Sequence, residues 1–244
     1  MKHKNKTAIV TGATRGIGKA IAIALADLNY NVVGVYEKSK NKAKQIEKQY
    51  PNIKLLKADI GSKEKIRRVI NYTADKYGAI DILINNAGIN LWGPIKDYSL
   101  KDWNRMLDVN LTSKFLFSKY AIPFLEKSDN GVIINISSRA GINKFVFADF
   151  IAYCVNNAGI NNFTVALAKE LKPKGIRVNA VIPTVTDTDR FKKAFTKEEK
   201  EEIIKAGKLG TPEEVADLVI SLIKDKTKTG EILIDKRVFI KSEA

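Results

Sequence analysis

The first residues whose types and spacing could do chemistry are glycines. Gly12-Ala13-Thr14-Arg15-Gly16-Ile17-Gly18 sets three of them with three and then one intervening residues. Gly12 permits a tight turn, Gly16 lets backbone N–H groups approach an anion, and Gly18 allows a helix to pack closely on a strand. A helix opening at Gly16 turns the positive end of its dipole toward that anion, so Thr11 to Gly18 is expected to hold the pyrophosphate of a dinucleotide. Composition excludes other chemistries. The only histidine is His3, in the leading tail, and the only cysteine is Cys154. A Ser-His-Asp triad, a His-based metal site and an intrachain disulfide are therefore not expected, and a reducing cytoplasm is the natural compartment.

A phosphate turn works only if a strand and a helix hold it, and the surrounding pattern supplies both. Short apolar runs at Thr7-Val10, Asn31-Val35, Ile53-Lys57, Ile80-Asn85, Gly131-Ser137, Arg177-Val181 and Glu231-Asp235 read as strands. The first, fourth and fifth are nearly continuous apolar runs, as expected where helices cover both faces. Helical stretches lie between them at Gly16-Leu28, Lys40-Tyr50, Lys63-Tyr77, Lys101-Lys127, Tyr153-Leu171 and Pro212-Lys224. Thr211 before Pro212-Glu213-Glu214 is a helix start: an N-cap hydroxyl, proline at N1 and acids in the first turn. The alternation predicts a single α/β domain over residues 1–244, a Rossmann-type doubly wound parallel sheet with helices on both faces. The lysine-rich span 190–208 follows a strand end, where a substrate lid would sit. No apolar run is long enough to cross a bilayer.

The formal net charge of +15 invites a nucleic-acid reading, but only 8 of the 42 basic residues are arginine and the lysines are spread along the chain. The scarcity of guanidinium forks weighs against nucleic acid and for a lysine-coated surface that suits an anionic cofactor or substrate.

Beyond the glycine turn, a series of segments resembles the short-chain dehydrogenase/reductase family over essentially the whole chain. Thr11-Gly12 to Gly18 is similar to its TGxxxGxG turn, Asp59-Ile60 to its acidic contact near adenine, and Asn85-Asn86-Ala87-Gly88 to its NNAG segment. Asn110 stands where the family keeps a helix-bending asparagine. Ile134-Asn135-Ile136-Ser137-Ser138 resembles the strand carrying the active serine, and Tyr153 starts the segment similar to its catalytic helix. The resemblance implies hydride transfer between a nicotinamide and a carbonyl or alcohol carbon. In it Tyr153 exchanges the proton, Ser138 holds the substrate oxygen and Asn110 belongs to the same constellation. It places Gly12, Thr14, Arg15, Gly16, Ile17, Gly18, Asn86, Ala87, Gly88, Pro183 and Thr188 against the cofactor. It also implies a homodimer or homotetramer built on the Lys101-Lys127 and Tyr153-Leu171 helices.

The main departure is at position 157, where the family's lysine is Asn157. Tyrosine and lysine four apart share a helix face, so the ammonium can bind the nicotinamide ribose and stabilise tyrosinate. A cation about 4 Å away, at an effective dielectric near 20, contributes on the order of 4 kcal/mol before desolvation. Asparagine can hydrogen-bond ribose but carries no charge. Alcohol oxidation, which needs tyrosinate, should suffer more than carbonyl reduction. Thr184 replaces the glycine expected after Pro183, and Asp235-Lys236-Arg237 replaces an Asp-Gly-Gly. The segment from Ser138 to Tyr153 is two residues longer, with Phe145, Phe147 and Phe150 that line an apolar pocket or pack the loop. Lys144 in that loop is one stand-in for the missing cation.

Cofactor choice turns on Val35-Tyr36-Glu37-Lys38-Ser39-Lys40. Tyr36 occupies the usual acid position; Glu37 could accept the ribose 2′-OH of NAD, while Arg15, Lys38, Ser39 and Lys40 could hold the 2′-phosphate of NADP. The reading is NAD(P)(H) with a lean to NADP(H). Three functions are open at this stage. One is an NAD(P)(H)-dependent reductase of a small carbonyl compound, 3-oxoacyl- or ketone-like. The second is a catalytically impaired dinucleotide-binding sensor, partner subunit or scaffold, and the third a basic protein that docks an acidic partner.

Overall fold

The computed structural model describes residues 5–146 and 148–239. The chain begins with the alternation its apolar pattern demands: β1 (Thr7–Thr11), α1 (Gly16–Asp27), β2 (Asn31–Tyr36), α2 (Lys40–Gln49), β3 (Ile53–Lys57), α3 (Lys63–Tyr77) and β4 (Ile82–Asn85). It continues through α4 (Leu100–Leu107), a π-helical turn (Asp108–Thr112), α5 (Ser113–Leu125), β5 (Val132–Ile136), α6 (Ile151–Leu171) and β6 (Arg177–Ile182). The remainder comprises β7 (Val185–Thr186), α7 (Asp189–Ala194), α8 (Lys197–Lys205), β8 (Leu209–Gly210), α9 (Pro212–Lys224) and β9 (Ile232–Ile234).

Seven strands form one sheet in the order β3-β2-β1-β4-β5-β6-β9, and every neighbouring pair is parallel. Strand order reverses between β1 and β4, so the chain leaves these two strands in opposite directions and opens a crevice at their C-terminal ends. Side chains alternate across the sheet into two cores. Ala8, Val10, Ile82 and Ile134 face one, with Ile21 and Leu25 of α1 and Val215 and Val219 of α9. Ile9, Leu83 and Ile133 face the other, with Ile66 and Ile70 of α3, Phe117 of α5 and Leu171 of α6. Helices on both faces explain why β1, β4 and β5 are apolar at nearly every position.

Three local features bear on the site. Thr211 caps α9 as its sequence indicates: Oγ1 accepts from the Glu214 N–H and the Glu214 carboxylate accepts from the Thr211 N–H, with Pro212 in the first turn. The stretch 101–127 is not one helix, because five π-helical residues around Asn110 separate α4 from α5. The polar span 190–208 folds into α7 and α8, and a two-stranded parallel ribbon of β7 and β8 brackets them. Among the described residues, no helix is long and apolar enough to cross a membrane.

Candidate active site

Thr11 ends β1 and organises the crevice. Its hydroxyl accepts from the N–H groups of Asn86 (2.9 Å) and Ala87 (3.0 Å), and the Asn86 amide donates to the Thr11 carbonyl (2.8 Å). The segment after β4 is thereby tied to the glycine turn. Gly12 (φ 73°) and Gly16 (φ 51°) occupy the left-handed region that side chains disfavour, and a Cβ on Gly18 would lie 2.3 Å from the Gly12 carbonyl oxygen. No side chain caps α1 and no acid sits in its first turn, so its N-terminal N–H groups are left for an anion. An open cleft of about 450 Å³ lies there, lined by Thr14, Arg15, Gly16, Lys19, Lys42 and Thr188 among others. The chain fits a pyrophosphate here: the backbone is bare where it must approach, and Arg15 and Lys19 stand in a lining whose Lys42 and Lys192 pair with Asp189 and Asp187.

At the far end of the crevice, Tyr36 packs partly into the α1-side core, and Glu37 and Lys38 are exposed. Asp59 is not free. Arg105 of α4 grips its carboxylate with two N–H groups (2.9 and 3.2 Å) and lies 3.8 Å from Glu37. Burial alone would raise the Asp59 pKa, but the Arg105 guanidinium and the Gly61 N–H outweigh it and hold the carboxyl below its usual range. The Ile60 side chain belongs to the α3-side core. Sequence reasoning missed Arg105. Its partners are 46 and 68 residues away, with no local periodicity to announce them.

Ser138 follows β5 and accepts a hydrogen bond from the Ala140 N–H (3.3 Å). That leaves its O–H available to donate. Tyr153 lies half-buried in the first turn of α6. The two are locked together through their neighbours: Ser137 donates to Asn161 (2.7 Å), Asn161 donates to the Gly141 carbonyl (3.1 Å), and a Cβ on Gly141 would strike the Asn157 backbone at 2.5 Å. Asn157 is 4% exposed. Its amide N–H is donated to the Tyr153 carbonyl (2.8 Å) and its Oδ1 lies 3.5 Å from the Ser137 hydroxyl. The side chain is folded against its own helix, which the sequence alone, allowing it a ribose contact, did not anticipate.

Asn110 clamps the other wall. Its Oδ1 accepts from the Ile89 N–H (2.8 Å) and its Nδ2 donates to the Ile89 carbonyl (2.9 Å). This pair of hydrogen bonds to a distant loop springs from the π-helical turn, a distortion that recurs at functional sites. One helical turn later, Lys114 is 2% exposed and donates to the carbonyls of Asn85 (2.9 Å) and Ala87 (3.4 Å). Burial pushes its pKa down to about 7. The sequence reading passed over Lys114; its spacing of four from Asn110 was the available signal.

The remaining departures find local uses. The Thr184 hydroxyl donates to the Lys208 carbonyl (2.6 Å), bracing the β7–β8 ribbon. Thr188 caps α7 by accepting from the Phe191 N–H, and Pro183 sits between β6 and β7. Arg190 of α7 reaches the Gly88 carbonyl (2.9 Å), and Lys42 of α2 pairs with Asp189 (3.5 Å). Arg237 turns the tail back by pairing with Asp235 and Glu214. Phe150 meets Trp92 edge-on at 6.0 Å, and Gly93 donates to the Asp149 carbonyl, so the lengthened loop packs on the 88–93 segment. Lys144 is exposed and lies over the Phe145 ring, and Phe147 falls outside the described residues.

The short chain dehydrogenase family model matches residues 6–199. The chain is 36% identical over 242 residues to the 3-oxoacyl-(acyl-carrier-protein) reductase FabG of Aquifex aeolicus, covering 96% of each chain. It is also 36% identical over 238 residues to the NAD-dependent glycerol dehydrogenase of Listeria innocua, covering 94% of this chain and 92% of the other. A short chain dehydrogenase from Burkholderia cenocepacia, solved in complex with NADP, superposes with a TM-score of 0.87 at 30% identity, covering 96% of this chain and 97% of that one.

Proposed function

Because the chain belongs to the short chain dehydrogenase family and is an oxidoreductase of that family, we propose that it reduces a small carbonyl compound, 3-oxoacyl- or ketone-like, with NAD(P)H. The observation that carries this reading is the tie between the Ser138 turn and the first turns of α6. Ser137, Gly141, Asn157 and Asn161 fasten the two segments together, so a hydroxyl donor and a phenol flank one end of the crevice.

When bound, the dinucleotide supplies the hydride. Gly12, Thr14, Arg15, Gly16, Ile17 and Gly18 hold its pyrophosphate through backbone N–H groups and the α1 dipole. Asn86, Ala87 and Gly88 support the nicotinamide end, with Pro183 and Thr188 on the opposite side. Ser138 donates to the substrate oxygen, and neutral Tyr153 gives that oxygen its proton as negative charge develops. Reduction starts from the neutral phenol, so it is the direction that tolerates Asn157 better. Glu37 disfavours a 2′-phosphate, but Arg105 stands beside it, and Arg15, Lys38 and Lys40 add positive charge; this balance favours NADPH.

The whole of residues 1–244 forms the working domain in this reading, with α7 and α8 as a lid latched by Arg190 and Asp189. Exposed Phe115 on α5 and Val155 on α6 suit a homo-oligomeric interface on those helices. A cytoplasmic setting fits a chain whose single cysteine is unpaired.

The test is direct: measure NADH and NADPH binding, then reduction of a panel containing 3-oxoacyl thioesters and simple ketones. Saturable NADPH-dependent turnover of at least one class is expected. Tight cofactor binding with no turnover across the panel would overturn the reductase reading and leave a dinucleotide-binding protein.

A further inference from the structure

Resting on the reductase reading, we propose that Lys114 replaces the lysine absent at position 157, delivering to the nicotinamide-ribose end of the crevice, from α5, the ammonium that relatives deliver from α6. Three observations point there. The ammonium has an address: both carbonyls it binds, Asn85 and Ala87, belong to the segment that Thr11 ties to the glycine turn at Asn86 and Ala87 and that Asn110 clamps at Ile89. Lys114 and Asn110, four apart on one helix face, therefore grip the same floor.

It also lacks a structural excuse. Among the described residues Lys114 has no carboxylate partner, and its third N–H has no protein acceptor. An isolated buried ammonium works against folding, and an apolar chain of the same length would fill the space without that penalty. A buried ammonium held only by backbone carbonyls just past the C-terminal end of β4, where the sheet order reverses, is the kind of group that sites retain for chemistry.

Finally, α6 offers nothing in its stead. The Asn157 amide is bonded to its own helix, and Lys144 is exposed over Phe145. The polar network from Asn85 through Asn135 to Thr164 of α6 connects the Lys114 floor to the catalytic helix. The cation has moved from one wall of the crevice to the other.

The experiment transposes the lysine. Lys114→Gln keeps two N–H donors for the carbonyls and drops the charge; Lys114→Met drops both. Each is prepared alone and with Asn157→Lys, beside Asn157→Lys itself. Binding of NADP⁺ and of adenosine 2′,5′-bisphosphate, which lacks the nicotinamide ribose, is measured with the carbonyl-reduction rate. Both single Lys114 variants should bind NADP⁺ at least tenfold more weakly, with adenosine bisphosphate unchanged, and adding Asn157→Lys should restore most of the loss. NADP⁺ affinity within threefold of wild type in Lys114→Gln would overturn the proposal. So would equal loss of both ligands, or a defect that Asn157→Lys does not repair while Asn157→Lys alone still binds, because a mere strut is not rescued from another helix. If Lys114→Met fails to fold, the Gln pair decides. A wild type that binds NADP⁺ but reduces no carbonyl defeats the reductase reading and leaves the binding arm to judge Lys114.

Discussion

The amide of Asn157 donates to the carbonyl of Tyr153 one turn earlier on α6, at 2.8 Å, while its Oδ1 faces the Ser137 hydroxyl. Asn157 thus braces the helix and the serine turn instead of reaching outward. Asn157→Ala should leave NADPH affinity within about threefold of wild type and destabilise the fold by ~1 kcal/mol, the usual worth of one buried hydrogen bond. Isothermal titration and denaturant melts check the two halves. A tenfold loss of affinity would mean that the amide reaches the cofactor after all.

Cofactor preference should respond to the charges around Glu37. Glu37→Gln removes the exposed acid beside Lys38, leaving Arg105 its Asp59 partner, and should tighten NADPH several-fold with little change for NADH. Lys38→Ala should weaken NADPH by about three- to tenfold, the range of an exposed charge-assisted contact. Paired dissociation constants for the two dinucleotides would show the ratio moving in opposite directions in the two variants.

The latch of α7 should govern cofactor exchange. Arg190 bonds the Gly88 carbonyl, and the Lys42–Asp189 pair is more than half exposed on both sides, so each contact is worth less than about 1 kcal/mol net. Arg190→Ala should speed NADPH dissociation about threefold, read by stopped-flow fluorescence. If release limits turnover, kcat rises in step.

Lys114 gives stability a pH signature. Its folded pKa is about 7 against an ordinary value of 10.5, so between these pH values the unfolded chain binds the extra proton. Stability then rises with pH across that window; below about pH 7 the full cost of the buried ammonium is present, and above about 10.5 it is gone. The ligand-free melting temperature should climb by roughly 5 °C or more from pH 7 to pH 9.5 relative to Lys114→Met, which should be the more stable protein at pH 7. Parallel curves for the two proteins would refute a depressed lysine.

Much of the architecture is written in local order. Apolar runs covered on both faces, the glycine spacing at 12, 16 and 18, and the Thr211-Pro212 helix start act over a few residues, and the strands, turn and cap appear where those patterns place them. Ser138, Tyr153 and Asn110 are marked in the chain only by its resemblance to the short-chain dehydrogenase/reductase family, not by any local pattern. What local order cannot encode is which side chains meet across the sheet. The break at Asn110 coincides with its amide bonding Ile89, 21 residues away. Asp59 is engaged because α4 brings Arg105 to it from 46 residues off. Lys114 reads in sequence as one more lysine among 34, all expected in water; packing α5 against the end of β4 buries it. A charge is defined by its residue, but its dielectric and its partners are set by the fold. The sequence by itself determined a glycine turn between a strand and a helix and an asparagine at position 157; only the tertiary structure buried Lys114 against the carbonyls of Asn85 and Ala87, because packing across the sheet, not local order, decides which groups lose water.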